Sequence, residues 1–214
     1  SKELEVRYQL AHMQYKAENY KAAVQSFTAV AMFAGKQSPL KLKAADLALD
    51  SLVLLKEDHQ IESLAQKFAK IFPAKAKEYS DLARKSVLNQ SAVQAKNTNG
   101  LTQAYATLAR FDISSASEKD KIAYYKNKLI LAEKLAKYSD AKMAVNELLQ
   151  MKSLSTQDRQ YVLSRQAWLA ELALDFGTAY KVTEKLKLPE LKPEQKVLKL
   201  ALFAELAGVD SSKY

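Results

Sequence analysis

The side chains able to take part in catalysis or metal binding are few and scattered along the sequence. There are two histidines, His12 and His59, and no cysteine, so the sequence offers no histidine pair at metal-binding spacing and no thiol nucleophile. The four glycines are isolated, which rules out a glycine-rich phosphate-binding loop. Glu57 and Asp58 lie at an expected helix boundary, where helix capping explains them. The sequence therefore predicts a protein that is not an enzyme and has no metal site and no cofactor.

The basic character of the chain raises the question of nucleic-acid binding. The formal net charge is +9, and only five of the 33 basic residues are arginines. Arginine makes the bidentate contacts that recognise phosphate and guanine, whereas lysine is a hydrated point charge suited to solubility. The composition favours a solvated basic surface, and a basic module that associates with nucleic acid or an anionic surface is kept as the alternative.

Helix-breaking residues are scarce, with four glycines and four prolines among 214 residues, and an all-α fold is expected. No run reaches the roughly 18 apolar residues that a membrane span requires. The chain starts without methionine or a signal-like segment, so we expect it to be a segment of a longer polypeptide. The absence of cysteine is compatible with the periplasm or cell envelope and with the cytoplasm.

One pattern of side-chain sizes recurs five times. Its members are Tyr20, Ala23, Phe27 and Val30; Ile61, Leu64, Phe68 and Ile71; Leu101, Ala104, Leu108 and Phe111; Tyr138, Ala141, Val145 and Leu148; and Phe176, Ala179, Thr183 and Leu186. Twelve residues before each second member stands a further small or apolar residue: Ala11, Leu52, Ala92, Leu129 and Ala167. A fixed period of this kind is typical of a helical repeat array.

Capping residues and helical periodicity set the expected helix boundaries. Ser38, Asp58, Ser117 and either Ser155 or Thr156 are predicted N-caps, and Gly35 and Gly208 are predicted C-terminal stops. The predicted helices run from the N-terminal residues to about 17 and then over residues 20–34, 39–56, 59–72, 74–97, 101–110, 118–136, 139–151, 156–174, 176–188 and 193–207.

This pattern resembles the tetratricopeptide repeat, in which small residues on the two helices of a hairpin meet where the helices cross. The pairs Ala11 with Ala23, Ala92 with Ala104, and Ala167 with Ala179 match that arrangement. The resemblance implies one domain over residues 1–214, a right-handed α-solenoid of about five antiparallel hairpins plus a terminal helix. The spacing of 37–41 residues exceeds the family's usual length of about 34, so looser hairpins are expected.

The resemblance also implies a partner-binding groove along the first helix of each hairpin. The residues it places there include Tyr8, His12, Tyr15, Lys56, Lys96, Lys126 and Trp168, with Val53, Val93 and Ile130 between them. Such a surface suits a peptide with acidic and apolar side chains. The alternative is that the lysines only solvate the surface and that the aromatic rings pack against neighbouring helices.

The sequence therefore predicts a non-catalytic scaffold or adaptor that binds a partner protein or peptide within a multiprotein assembly. Divergent arrays that resemble this one are common in bacterial envelope assemblies, and that setting is an expectation by analogy alone. A segment that only joins the functional ends of a larger polypeptide is a further possibility.

Overall fold

The structure is a computed structural model that describes residues 2–36, 38–187 and 192–212. Over these residues it is all-α, as predicted, and contains no strand. The described helices are α1 Lys2–Lys16, α2 Tyr20–Ala31, α3 Pro39–Leu55, α4 Asp58–Ile71, α5 Ala76–Gln94, α6 Leu101–Leu108, α7 Glu118–Lys134, α8 Tyr138–Gln150, α9 Thr156–Leu172, α10 Phe176–Lys185 and α11 Pro193–Leu206. Short 3₁₀ turns at Pro73–Lys75 and Thr98–Gly100 precede α5 and α6.

The chain divides into two compact units, Ser1–Ala116 and Ser117–Tyr214. In the first unit each helix from α1 to α6 packs against the next, and α1 also contacts α3. In the second unit each helix from α7 to α11 packs against the next. We call α1, α3, α5, α7 and α9 the first helices and α2, α4, α6, α8 and α10 the second helices.

Most helix starts follow from local capping chemistry, and the predicted serine caps are confirmed. Ser38 Oγ accepts a hydrogen bond from the Lys41 backbone N–H at 3.4 Å, and Ser117 and Ser155 cap α7 and α9 in the same way. Pro39 follows Ser38 at the first helical position, where its missing N–H costs no hydrogen bond. The prediction for α4 was wrong, because Asp58 is the first residue of that helix and Glu57 holds the cap position without a side-chain hydrogen bond.

The end of α2 differs from the prediction. The helix ends at Ala31 rather than near Gly35, although Gly35 does adopt a positive φ of 100°. The buried Lys41 side chain on α3 donates its ammonium to the backbone oxygens of Phe33 and Gly35 at 2.5 and 2.9 Å. A cation from the next helix therefore satisfies the carbonyls that follow α2.

The same contact recurs in the second unit. The Arg159 guanidinium on α9 donates to the oxygens of Leu149 and Met151 at the end of α8, at 3.0 and 2.9 Å. Lys196 on α11 donates to the Leu186 oxygen after α10 at 2.6 Å. In three places, then, a basic residue in the first turns of one helix caps the helix before it.

Four hairpin turns share one backbone conformation. Glu18, Lys56, Ala136 and Leu174 all have φ between 55° and 59° and lie between a first helix and its second helix. None of them is glycine, although this left-handed region costs an L-residue roughly 1 kcal/mol. The shared turn fixes the register of each hairpin, since the second helix begins two residues later.

This register corrects the predicted alignment of the second hairpin. Counted from the left-handed residue, Ile61 takes the place of Ala23, and Ala65 takes the place of Phe27. Ile61 and Ala65 are buried, whereas Leu64, the residue predicted to match Ala23, is only half-buried. The predicted alignment was therefore three residues out of register in this hairpin.

In the third hairpin the residue at the helix crossing lies one position before the predicted one. Ala92 is exposed, whereas Ser91 is fully buried and donates its hydroxyl to the Ala104 backbone oxygen at 2.9 Å. Ser91, and not Ala92, is therefore the small residue that faces Ala104. The other two small pairs, Ala11 with Ala23 and Ala167 with Ala179, are buried as expected.

Polar clamps reinforce the apolar core of the first unit, which extends from Leu4 in α1 to Ala83 in α5. The carboxylate of Glu62, on α4, accepts two hydrogen bonds from Arg110 at 3.0 Å each and one from Gln90 at 2.8 Å. Because the Glu62 side chain is only 10% exposed, these donors replace the water that it loses. The clamp joins α4 to α5 and to the segment after α6.

Candidate protein-interaction surfaces

Three of the predicted groove residues come together on α1. The Tyr8 ring stacks on His12, with centroids 6.1 Å apart, and also contacts Phe27 at 5.7 Å. Tyr15 donates its hydroxyl to Asp50 Oδ2 on α3 at 2.9 Å, and this bond to a carboxylate raises the pKa of Tyr15. All three predicted residues are half-buried. Their aromatic rings pack within the unit, so part of this surface already has a structural role.

Lys56 and Lys96 lie at the ends of α3 and α5 and are exposed. Lys56 is one of the left-handed turn residues, which directs the chain from α3 into α4. A cation at a helix C-terminus also interacts favourably with the helix dipole. Both lysines therefore have a local role and leave a charged ammonium accessible to solvent.

In the second unit the predicted residues Lys126 and Trp168 both take part in contacts that involve α9. Lys126 forms an ion pair with Asp158, and the hydrogen bonds from Lys126 and then Ser155 lower the pKa of Asp158. The Arg165 guanidinium lies 4.3 Å from the Trp168 ring centroid, within cation–π range. Lys126 thus stabilises the packing of α7 on α9, whereas Trp168 contacts Arg165 within α9 and the Tyr138 ring at the start of α8, with centroids 5.9 Å apart.

Polar bridges of this kind connect alternate helices throughout each unit. Asp46 on α3 accepts a hydrogen bond from the buried Tyr79 hydroxyl on α5 at 2.8 Å, and burial followed by this bond raises the pKa of Tyr79. Lys199 on α11 pairs with Glu171 on α9 at 2.6 Å. With the Tyr15 and Lys126 contacts, these bridges hold each first helix beside its neighbours. Val53, Val93 and Ile130, which the family resemblance places in the groove, are exposed.

A cleft between the second helices α2 and α4 is a separate candidate surface that the sequence reasoning missed. Its volume is about 620 Å³, within the range of roughly 300–1,000 Å³ typical of ligand pockets. Its apolar lining comes from Val24 on α2, Met32 directly after α2, Leu64 on α4, and the buried Leu52 of α3. The half-buried Leu64, which the predicted alignment assigned to a helix crossing, was the available signal for this cleft.

The rim of the cleft is polar and carries positive charge. Exposed side chains of Gln25, Gln60, Ser63, His59 and Lys67 surround the apolar lining. No acidic residue lines the cleft among the residues that the structure describes. An apolar floor inside a neutral-to-basic rim fits an amphipathic segment that carries carboxylates.

The structure adds three observations on other classes of site. Over the described part of the chain, no three His, Asp or Glu side chains come together as a metal site. Every helix in the described ranges is too short or too polar to cross a membrane. The basic charge is spread over both units, with 16 basic and 11 acidic residues in 1–116 and 17 and 13 in 117–214. The net basic charge is therefore not confined to one of the two units.

Comparison with known proteins found no protein family whose sequence profile matches this chain and no curated protein similar to it.

Proposed function

We propose that this chain is a non-catalytic protein-interaction scaffold, built as a right-handed α-solenoid of about five tetratricopeptide-like hairpins plus the terminal helix α11. Three features support this architecture: sequential helix packing within each unit, one turn conformation shared by four hairpins, and side-chain bridges between alternate helices. Stacked hairpins of this kind present extended surfaces that suit protein partners.

The observation that carries the functional proposal is the cleft between α2 and α4. It joins an apolar floor at Leu52 and Leu64 to a rim that holds Lys67 and has no acid among the described residues. A helical or extended peptide could bury its apolar side chains on the floor and place acidic groups near Lys67. The partner proposed is thus a protein segment with apolar and acidic side chains.

The cleft competes with the first-helix surface that the family resemblance implies. The first-helix aromatics are largely engaged in packing within the chain, whereas the cleft is open and its polar rim is exposed. The cleft is also concave, and ligand-binding sites are preferentially concave. The cleft is therefore the better candidate in the first unit.

The test is site-specific photo-cross-linking in cells that naturally make the protein, with a photoreactive amino acid in place of Ser63 at the cleft rim. We expect a discrete protein adduct that survives nuclease treatment. Ala29→Arg or Lys67→Glu should abolish the adduct, because both change exposed positions in the cleft. The matched changes Val93→Arg and Lys96→Glu on the first-helix surface should leave it intact.

Two results would contradict the proposal. Loss of the adduct only with the first-helix variants would move the partner to that surface. An adduct that disappears with nuclease would instead identify nucleic acid as the bound molecule. Circular dichroism of each variant checks that the helices are retained.

A further inference from the structure

The first and the last of the described helices, α1 and α11, each expose a row of apolar side chains. On α1, Val6, Leu10 and Met13 are all more than half exposed. Their spacing of four and three residues puts them on one face of the helix. This face lies apart from the buried Leu4 and Ala11, through which α1 packs on its own unit.

The terminal helix α11 carries a similar row. Leu198, Leu202 and Leu206 are each more than half exposed and follow one another at intervals of four residues. Its packing face consists of Leu200, Phe203 and Ala204. Each row covers about two turns, so the two rows match in length.

We propose that α11 of one copy of this chain docks antiparallel on α1 of a second copy, which joins the apolar rows through a head-to-tail contact. Charges beside the rows select this pairing. At about 100° per residue, Lys2 and Lys16 lie on one flank of the α1 row, and Glu194 and Glu205 lie on one flank of the α11 row. All four are exposed, and Glu205 also accepts a hydrogen bond from Ser211 at 3.2 Å.

In the antiparallel arrangement the two charged flanks fall on the same side of the contact. Lys16 then lies nearly level with Glu194, and Lys2 lies on the same side as Glu205, about 7 Å from it along the helix axis, so opposite charges share each end of the contact. A parallel arrangement would place the lysines and the glutamates on opposite sides. The charges on the other flank are paired within the chain, since Arg7 binds Glu3 at 2.8 Å and Lys199 binds Glu171.

The same charges oppose the two symmetric alternatives. An antiparallel α1–α1 contact would bring Lys2 next to Lys16, and an α11–α11 contact would bring Glu194 next to Glu205. Like charges in register disfavour an interface. The contact is therefore heterologous, and because each dimer keeps one free row at either end, association continues into longer chains or closes into a ring.

The contact joins single helices, so it belongs to the small interfaces below about 1,200 Å² that associate weakly. The test is sedimentation equilibrium of the 214-residue chain from about 5 µM to about 1 mM, a range chosen for an interface of this size. The expected result is a mean mass that rises with concentration beyond that of a dimer. A chain that stays monomeric throughout this range would overturn the proposal.

Two variants identify the faces involved. Leu10→Asp places a charge in the apolar row of α1, and Leu202→Asp places one in the apolar row of α11. Each variant alone should be monomeric. Mixed in equal amounts they should form a 1:1 complex and nothing larger, because one intact face of each kind is left. Loss of association in only one variant would point to a symmetric contact, and no complex in the mixture would refute the pairing of α1 with α11.

Two controls accompany the mixing experiment. Leu174→Asp changes a leucine that is more exposed than Leu10 and Leu202, at the turn between α9 and α10, and should leave association intact. Glu194→Lys should weaken association, and adding Lys16→Glu should restore it. If the double variant Glu194→Lys with Lys16→Glu fails to restore association, the proposed pairing of these two charges is wrong. All the substituted side chains are exposed, and circular dichroism with thermal melting verifies the fold of each variant.

Discussion

The clamp around Glu62 offers a sharp test of how the first unit is held together. Arg110→Met would remove the two guanidinium hydrogen bonds to Glu62 and a third to Gln90 Oε1, and leave the Glu62 carboxylate, 10% exposed, with its single bond from Gln90. Methionine keeps much of the apolar volume of the arginine stem, so the change isolates the charged contact.

The expected loss follows from the geometry. Hydrogen bonds to charged groups contribute about 1.5–3 kcal/mol each, and Arg110 donates two of them at 3.0 Å. The Arg110 side chain is 45% exposed, so solvent screening reduces this sum by roughly half. We expect Arg110→Met to lower the free energy of unfolding by about 2–3 kcal/mol. The control Arg7→Met breaks the exposed pair with Glu3 and should cost about 0.5 kcal/mol.

Urea unfolding at pH 7, followed by circular dichroism, measures both losses. Hydrogen exchange should show faster exchange in α4 and α6 with Arg110→Met. A double-mutant cycle with Glu62→Gln should give a coupling energy of about 1–2 kcal/mol. A loss no larger than that of Arg7→Met, or a coupling energy near zero, would refute the assignment of the clamp.

Three further predictions test the turns, the helix ends and the bridges. Ala136→Gly should raise the free energy of unfolding by about 0.5 kcal/mol because φ is 55° there. The control Ala106→Gly, at an exposed position within α6, should lower the free energy of unfolding by about 1 kcal/mol. Urea titration measures both changes, and the same sign for both would contradict the turn assignment. Lys41→Met leaves two carbonyl oxygens without their cation and should cost about 2 kcal/mol by the same titration; an unchanged midpoint would show that water replaces the ammonium. Since hydrogen bonds from Lys126 and Ser155 lower the pKa of Asp158, that stabilisation is present above about pH 4 and lost as the pH falls through the folded-state pKa; Lys126→Met should therefore lower the melting temperature at pH 6 but hardly at pH 2, and an equal loss at both would exclude the ion pair as its cause.

The fold class and most helix boundaries could be predicted because they depend on residues close together in the sequence. Ser38 and Ser117 cap their helices by accepting a hydrogen bond from the backbone N–H three residues later. Most helices end within about three residues of the predicted position. Gly35 misled the prediction for α2, because the contact that replaces the helix there comes from Lys41 on the next helix. Side-chain bonds between helices leave no local sequence pattern.

Register was harder to predict than helix content because large and small apolar residues alternate closely. In α4 both Ile61 and Leu64 could take the place of Ala23 by size, and only the backbone conformation of Lys56 decides between them. Prediction of the cleft required the correct register of α4, because the walls of the cleft come from helices about 40 residues apart in the chain. Of the predicted groove, the structure places Tyr8, His12 and Tyr15 together on α1. Lys126 contacts α9, and Trp168 contacts Tyr138 on α8. Whether a partner also binds there stays a prediction.

The basic residues that reach back to the preceding helix have a consequence for shortened versions of the protein. A truncation that stops after α2 would remove Lys41, and the backbone oxygens of Phe33 and Gly35 near the new terminus would lose their hydrogen-bond donor. Truncations of the second unit after α8 or α10 would lose Arg159 or Lys196 in the same way. Stable fragments should therefore carry at least the opening turns of the following helix, so the natural cutting points fall inside helices rather than in the loops between them.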